Sequence, residues 1–330
     1  MTPLPFAENR LTSVARLRGV LAPVITPFDA ELRPDAARLA RHCRWLLGQD
    51  VGLAVFGTNS EANSMTVPEK RALLEHLAQG GVPVARMMPG TGCCAFPDTV
   101  ELTRAAVQMG CGGVLMLPPF YYKGVSDDGL FASYAEVIER VADARLRIYL
   151  YHIPPVSQVP ISLTLIERLL ARYPGTIAGV KDSSGVWANT QAMLERFQPQ
   201  GFDVFAGSET FLLATLRAGG AGCISATANV NPYAIARLAA QWRDAGADAA
   251  QAALDAVRAT FQKYPMIPAL KAAIAHFSAD EGYARVRPPL VPLAAAMRRD
   301  LAGDLASLRF DMPGIALTES AAGVETSPSL

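Results

Sequence analysis

Short apolar runs alternate with amphipathic stretches from Gly19 to about Val230, and this alternation restricts the fold more than any other feature of the chain. Eight runs read as strands: Val20–Thr26, Gly52–Gly57, Val82–Met88, Gly113–Leu117, Leu146–His152, Thr176–Lys181, Asp203–Gly207 and Gly222–Ser225. Between them, segments such as Asp35–Leu47, Val67–Ala78, Pro97–Met109, Asp127–Ala142, Leu163–Arg172, Val186–Phe197 and Glu209–Ala218 carry apolar residues three and four apart. Several follow a Ser, Asp or Pro start signal, as helices do. Strand and helix in strict turn predict a parallel sheet with crossover helices. Eight units favour a closed (β/α)8 TIM barrel, with a doubly wound open sheet as the structural alternative.

After Pro232 the alternation stops. Helical stretches over Pro232–Gly246, Ala250–Lys263, Ile267–Phe277 and Pro292–Leu305 predict an appended helical layer. The expected organisation is an N-terminal arm over residues 1–18, a barrel over 19–230, a C-terminal helical region over 231–311 and a disordered tail over 312–330, where small and polar residues take over.

Composition narrows the function. Hydrophobic residues make up 51% of the 330 and charged residues 18%, which suits an enzyme with a large core. A formal net charge of +0 gives no reason to expect nucleic acid or an acidic membrane surface as partner. No apolar run reaches 18 residues, so no membrane span is expected. Met1–Arg18 lacks the continuous apolar stretch of a secretory signal, and the expected location is cytoplasmic. Cys43, Cys93, Cys94, Cys111 and Cys223 form no paired framework and read as reduced core residues; they and the four histidines show no metal-ligand spacing.

In a barrel of this kind the site lies where the strands end. Only five lysines occur, and Lys181 closes an apolar run just before Asp182-Ser183-Ser184-Gly185. Burial disfavours an ammonium ion, and a neutral amine condenses with a ketone to a Schiff base. The plain alternative is a strand-end lysine reaching solvent. The second strand ends in Gly57-Thr58-Asn59-Ser60-Glu61, whose donors suit a carboxylate or simply start a helix. Pro89-Gly90-Thr91-Gly92 reads as a tight turn. Pro118-Pro119-Phe120-Tyr121-Tyr122 offers phenols for proton transfer or aromatic surface for a subunit contact. In Tyr149-Leu150-Tyr151-His152, alternation sets both tyrosines on one face and His152 on the other, towards the helices as a packed residue. Ser208 and Glu209, and Ser225 to Asn229, either line a pocket or cap helices.

Five of these motifs stand in one order: Gly57-Thr58-Asn59-Ser60-Glu61, the Pro-Pro-Phe-Tyr-Tyr loop, Tyr151 with Ile153-Pro154, Gly179-Val180-Lys181-Asp182, and Gly222-Cys223-Ile224-Ser225. In that order the chain resembles the dihydrodipicolinate synthase / N-acetylneuraminate lyase family of class I pyruvate aldolases, over residues 18 to 300. The resemblance implies a (β/α)8 barrel with a C-terminal helical extension, assembled as a homotetramer, a dimer of dimers. It implies imine chemistry on pyruvate or another 2-oxo acid, with neither metal nor organic cofactor. Lys181 would form the Schiff base and Tyr151 would be its acid and base. Thr58 would link Tyr151 to Tyr121, which reaches across the dimer interface. Thr58 and Asn59 would hold the pyruvate carboxylate, and Gly207 and Ile224 would line the pyruvate end.

Departures from the family pattern bear on substrate. Asn59 and Ser60 stand where a hydroxyl residue and a glycine are frequent. Val156 stands where the lysine-pathway synthases carry an arginine for the aldehyde's carboxylate, and losing a bidentate cation is a large loss. The expectation is an aldolase that releases pyruvate from 4-hydroxy-2-oxoglutarate or a 2-keto-3-deoxy sugar acid, with Ser183, Ser208 and Glu209 on the distal hydroxyls. A 2-keto-3-deoxy acid dehydratase, the dihydrodipicolinate synthase itself and a non-catalytic barrel that binds a 2-oxo acid remain alternatives.

Overall fold

Seven parallel strands form one continuous sheet in the computed structural model, which describes residues 16–316. They are β1 (Gly19–Ala22), β2 (Gly52–Leu53), β3 (Val114–Met116), β4 (Ile148–His152), β5 (Ile177–Asp182), β6 (Asp203–Ala206) and β7 (Gly222–Ile224), in the order β2-β1-β7-β6-β5-β4-β3. The open seam between β2 and β3 is filled by residues 87–91. Met88 donates to the Leu53 carbonyl and Gly90 to that of Val55. On the other side Leu115 donates to the Pro89 carbonyl and Thr91 to that of Leu115. The sheet is thereby closed into a barrel of eight positions.

That eighth position corrects the sequence reading. Val82–Met88 was expected as a strand, but Val84–Arg86 forms a 3-10 turn and pairing starts only at Met87. Pro83 lacks an N–H for a strand ladder, so the ladder begins beyond it.

The helices of the barrel are α1 (Ala36–Gly48), α2 (Val67–Gln79), α3 (Phe96–Gln108), α4 (Asp127–Val141), α5 (Pro154–Ser157), α6 (Leu163–Arg172), α7 (Trp187–Phe197) and α8 (Leu212–Arg217). Their starts follow local chemistry. The Asp35 side chain accepts from the Arg38 N–H, Ser126 caps α4, and Ser162 caps α6. Thr66 and Glu69 form a reciprocal capping box ahead of α2. Beyond the barrel, α9 (Pro232–Ala240), α10 (Ala247–Gln262), α11 (Met266–Ser278) and α12 (Ala295–Ser307) make the appended layer. Pro268 to Ala275 of α11 are buried without interruption, so this helix is core on all sides.

Two apolar layers result. Ile148, Leu150, Ile177, Val180, Val204 and Cys223 face the helices. Leu21, Met88, Leu115, Tyr149, Tyr151, Phe205 and Ile224 fill the barrel interior, with Tyr149 edge-on to Phe205 at 5.8 Å between centroids. The amino end of the interior is plugged by Asp203, which Arg18 grips at 2.9 Å and Arg16 at 3.4 Å. Burial raises the Asp203 carboxyl against the pull of both arginines.

Met312 and Ile315 are buried in the outer core, so the chain stays packed past the point where a tail was expected. The rest of that tail, residues 317–330, and residues 1–15 of the expected arm lie outside the described residues. Among the described residues no helix is long and apolar enough to cross a membrane. Cys43 and Cys223 are buried as expected, whereas Cys94 is exposed and Cys93 and Cys111 are partly so.

Candidate active site

Strict alternation along β5 would put Ile177 and Lys181 on the same face. They lie on opposite faces because the strand carries an irregularity: Ile148 pairs with Ile177 but Tyr149 pairs with Gly179, leaving Ala178 as an extra residue. A bulge of this kind shifts the phase of every side chain after it. Ile177 thus packs in the outer layer, while Lys181 pairs across to Tyr151 and turns inward. Gly179 permits the bend, since a Cβ there would stand 2.2 Å from the Asp203 carbonyl oxygen.

Lys181 is 2% exposed, and its Nζ lies 4.2 Å from the centre of the Tyr151 ring. Among the described residues no carboxylate pairs with it. The Tyr151 hydroxyl and Thr58 Oγ1 are hydrogen-bonded at 3.1 Å. Lys181, Tyr151 and Thr58 thereby join three strand ends in one cluster of nucleophile and exchangeable protons.

Asp182 points the other way along β5. Its carboxylate accepts from Ser184 N–H (2.9 Å), Ser184 Oγ (3.1 Å), Asn189 Nδ2 (3.1 Å) and Thr190 Oγ1 (2.6 Å). It fixes the turn after Lys181 and the first turn of α7. His152 is buried beside it, its Nδ1 accepting from the Ile161 N–H at 3.0 Å; burial lowers its pKa, as befits a packed residue.

The loop that presents Thr58 and Asn59 is bracketed by two left-handed residues, Phe56 (φ 61°) and Glu61 (φ 56°). Such conformations are costly for side chains of this size and persist where surroundings fix them. Here Glu61 accepts from Lys271 Nζ, reaching in from α11, and from the Arg287 N–H at 2.8 Å. Lys271 also donates to the Arg285 carbonyl at 2.7 Å. The appended helical layer thereby holds the loop. Inside it, Gly57 N–H donates to Ser60 Oγ at 3.1 Å.

The cluster opens into a cavity of about 640 Å³. Its walls include Thr58, Asn59, Tyr151, Lys181, Ser183, Gly207 and Ser208, seven of the residues singled out from the sequence. Gly207 is required by proximity, because a Cβ would meet Ser183 Oγ at 2.1 Å. Ile224 lies below, fully buried in the barrel interior. Tyr121 is 74% exposed, lies edge-on to the Tyr122 ring, and is not among the residues lining the cavity.

Glu209 departs from its expected role on distal hydroxyls. It is 1% exposed and accepts from the hydroxyls of Ser225 and Thr227. Its carboxylate is spent on joining the loops after β6 and β7. The reading failed because a glutamate near a strand end offers no sequence mark of which way it turns.

The opposite wall was not foreseen. Arg258 and Gln262 come from the end of α10, Tyr264 from the turn that follows it, and Val156 and Ile153 from the β4 loop. A lone arginine in an alanine-rich helix looks like an ordinary solvated side chain, and no local pattern marks it out. A slightly larger hollow, about 730 Å³, lies between α9, α10 and residues 308–311. It is lined largely by alanine and other apolar side chains and contains none of the sequence-derived site residues, so the chemistry belongs to the smaller one.

Comparison with known proteins agrees with this geometry. The model of the Dihydrodipicolinate synthetase family matches residues 16–308. A DapA-like lyase of Chloroflexus aurantiacus is 36% identical, over 88% of this chain and 99% of its own length. The crystal structure of dihydrodipicolinate synthase from Agrobacterium tumefaciens superposes with a TM-score of 0.81 at 30% identity, covering 88% of this chain and 99% of that one. YagE, a prophage protein of the same family from E. coli K12 in complex with pyruvate, gives 0.81 at 27% identity, over 90% and 100%. The chain belongs to the dihydrodipicolinate synthetase family and is a class I, Schiff-base-forming lyase acting on a 2-oxo acid.

Proposed function

We propose that this enzyme cleaves a hydroxylated 2-oxo acid, such as 4-hydroxy-2-oxoglutarate or a 2-keto-3-deoxy sugar acid, to pyruvate and an aldehyde. The observation that carries the reading is the buried, carboxylate-free amine of Lys181 facing the hydrogen-bonded Tyr151 and Thr58 across the mouth of one cavity.

In this reading Thr58 and Asn59 hold the substrate carboxylate. Lys181 attacks the ketone carbon and the carbinolamine loses water to an iminium. Tyr151, having given its proton to the departing water, takes the proton of the C4 hydroxyl as the C3–C4 bond breaks. The bonding electrons pass to C3 and are held by the iminium as an enamine. The aldehyde leaves, Tyr151 returns a proton to C3, and water hydrolyses the imine to pyruvate and free Lys181. Gly207 and Ile224 line the pyruvate end, and Ser183 and Ser208 face the departing aldehyde.

Val156 supports cleavage over condensation with aspartate semialdehyde, since an apolar side chain on that wall cannot hold a carboxylate. The proposal extends to a cytoplasmic homotetramer. Tyr121 and Tyr122, exposed in the single chain, suit a covered position between copies. The five unpaired thiols suit a reducing compartment.

The test compares kcat/KM for pyruvate release from hydroxylated 2-oxo acids with kcat/KM for condensation of pyruvate and aspartate semialdehyde. Cleavage should win. Condensation faster than every cleavage would overturn the reading. Water loss from a 2-keto-3-deoxy acid, with neither of the other activities, would replace it with a dehydratase.

A further inference from the structure

We propose that Arg258 is the substrate-selecting residue of this site, binding a second carboxylate at the far end of the 2-oxo acid. The inference rests on the imine reading above and chooses between its two substrate classes, in favour of a dicarboxylic acid over one with a neutral polyol tail.

Arg258 projects from α10 into the cavity that holds Lys181, and its side chain is only 15% exposed. Among the residues lining that cavity, Lys181 and Arg258 are the two cations, and Asp182 is the one carboxylate. Asp182 is saturated by Ser184, Asn189 and Thr190. Lys181 is committed to the imine. Arg258 is therefore the charge left to meet the rest of the substrate.

Its hydrogen bonding is unfinished. Nη1 donates over 3.4 Å to Glu209 Oε2 and over 3.4 Å to Ser225 Oγ, both long contacts. Glu209 itself is tied by the hydroxyls of Ser225 and Thr227, so it steadies the guanidinium plane more than it satisfies it. Among the described residues, buried Nε has no partner and Nη2 has none. An arginine carries five N–H donors, and the Nε–Nη2 edge is the fork that accepts both oxygens of a carboxylate. A buried donor without an acceptor is a standing cost, and such groups mark where a ligand supplies what the protein omits.

The arrangement also fits the apolar wall opposite. With Val156 on the β4 loop, the β4 side offers no cation, and recognition of a distal anion falls to α10. A single guanidinium already leaning on Glu209 matches a carboxylate. Beside Glu209, a phosphate dianion would leave one more charge uncompensated than a carboxylate does.

Two five-carbon probes isolate the effect: 2-oxoglutarate and 2-oxopentanoate differ only in the terminal carboxylate. Each is incubated with the enzyme and borohydride, and the adduct on Lys181 is measured by mass spectrometry across concentrations, with pyruvate run alongside. The wild type should half-saturate with 2-oxoglutarate at a concentration roughly 10–150-fold lower than with 2-oxopentanoate, the value of a charge-assisted pair. In R258Q the gap between the two acids should close, and in R258K it should survive in part. Should R258Q fail to fold, raising the ionic strength on wild type should narrow the same gap. Equal capture of both acids by wild type, or an equal loss of both in R258Q, would overturn the assignment and leave the imine reading standing. Tighter capture of a 2-oxo acid with a terminal phosphate than of 2-oxoglutarate would overturn the choice of carboxylate. No adduct on Lys181 with any acid, pyruvate included, would sink both.

Discussion

Among the described residues three lysines are buried, Lys70, Lys181 and Lys271, and the last two are built for opposite ends. Lys271 is 0% exposed, paired with Glu61 and bonded to the Arg285 carbonyl. Lys181 is 2% exposed, faces an aromatic ring and, among the described residues, pairs with no carboxylate. Both stems run through apolar surroundings, so burial does not separate a nucleophile from a structural cation. Pairing does. A charge held by a buried carboxylate is fixed in place and occupied. An amine next to a phenol and an open cavity is free to attack. The two are nonetheless connected, because Lys271 holds Glu61, and Glu61 ends the loop that presents Thr58 to Tyr151.

The sharpest way to break this contrast is to remove each lysine in turn. Lys181→Ala should lower turnover by several orders of magnitude and abolish the borohydride adduct, while its melting temperature stays near that of wild type. Equal labelling of Lys181→Ala by pyruvate would show that another amine is the nucleophile.

Next in size is Tyr151→Phe, which removes one hydroxyl and the contact to Thr58. Turnover should fall about 10²–10⁴-fold, with slower trapping of pyruvate and an unchanged fold. Wild-type rates in this variant would take the phenol out of the mechanism.

Lys271→Met leaves the Glu61 carboxylate buried and unpaired, which should cost about 3–5 kcal/mol of stability in denaturant titrations. Pyruvate trapping per folded molecule should persist. Loss of trapping in fully folded Lys271→Met would mean that the loop anchor is itself part of the chemistry.

The smallest effect is a pH dependence. Burial outweighs the pull of Glu61 and lowers Lys271 to about 8, against about 10.4 for an unfolded chain. Between those values the unfolded state holds more protons than the folded one. Stability from this site therefore rises with pH across that window, having been lowest while the folded lysine is still charged. The stability gap between wild type and Lys271→Met should widen from pH 8 towards 10. A gap that narrows would show the ion pair outweighing desolvation.

Much of this was legible in order and spacing. The strand–helix alternation, the appended helices and the sequence of motifs around Thr58, Tyr151, Lys181 and Gly207 depend on local periodicity and on residues a few positions apart, which a linear chain displays. Tyr149 and Tyr151 share a face, and His152 opposes them, because β4 alternates without interruption. The third strand misled because Pro83 and the 3-10 turn at Val84–Arg86 moved the pairing to residues 87–91.

By itself, then, the sequence determined the barrel class, the helical extension and the set of strand ends that can carry imine chemistry. The direction of individual side chains was settled only in three dimensions. Lys181 faces the interior because one extra residue at Ala178 shifts the phase of β5, and that irregularity exists only against the register of β4. Glu209 turns to Ser225 and Thr227, and Arg258 enters the cavity from a helix 49 residues further along the chain, because neighbouring strands and α10 pack where they do. Periodicity is a property of a segment. The orientation of a charge at a bulge or helix end depends on what packs against it, and that partner is set by the closure of the barrel.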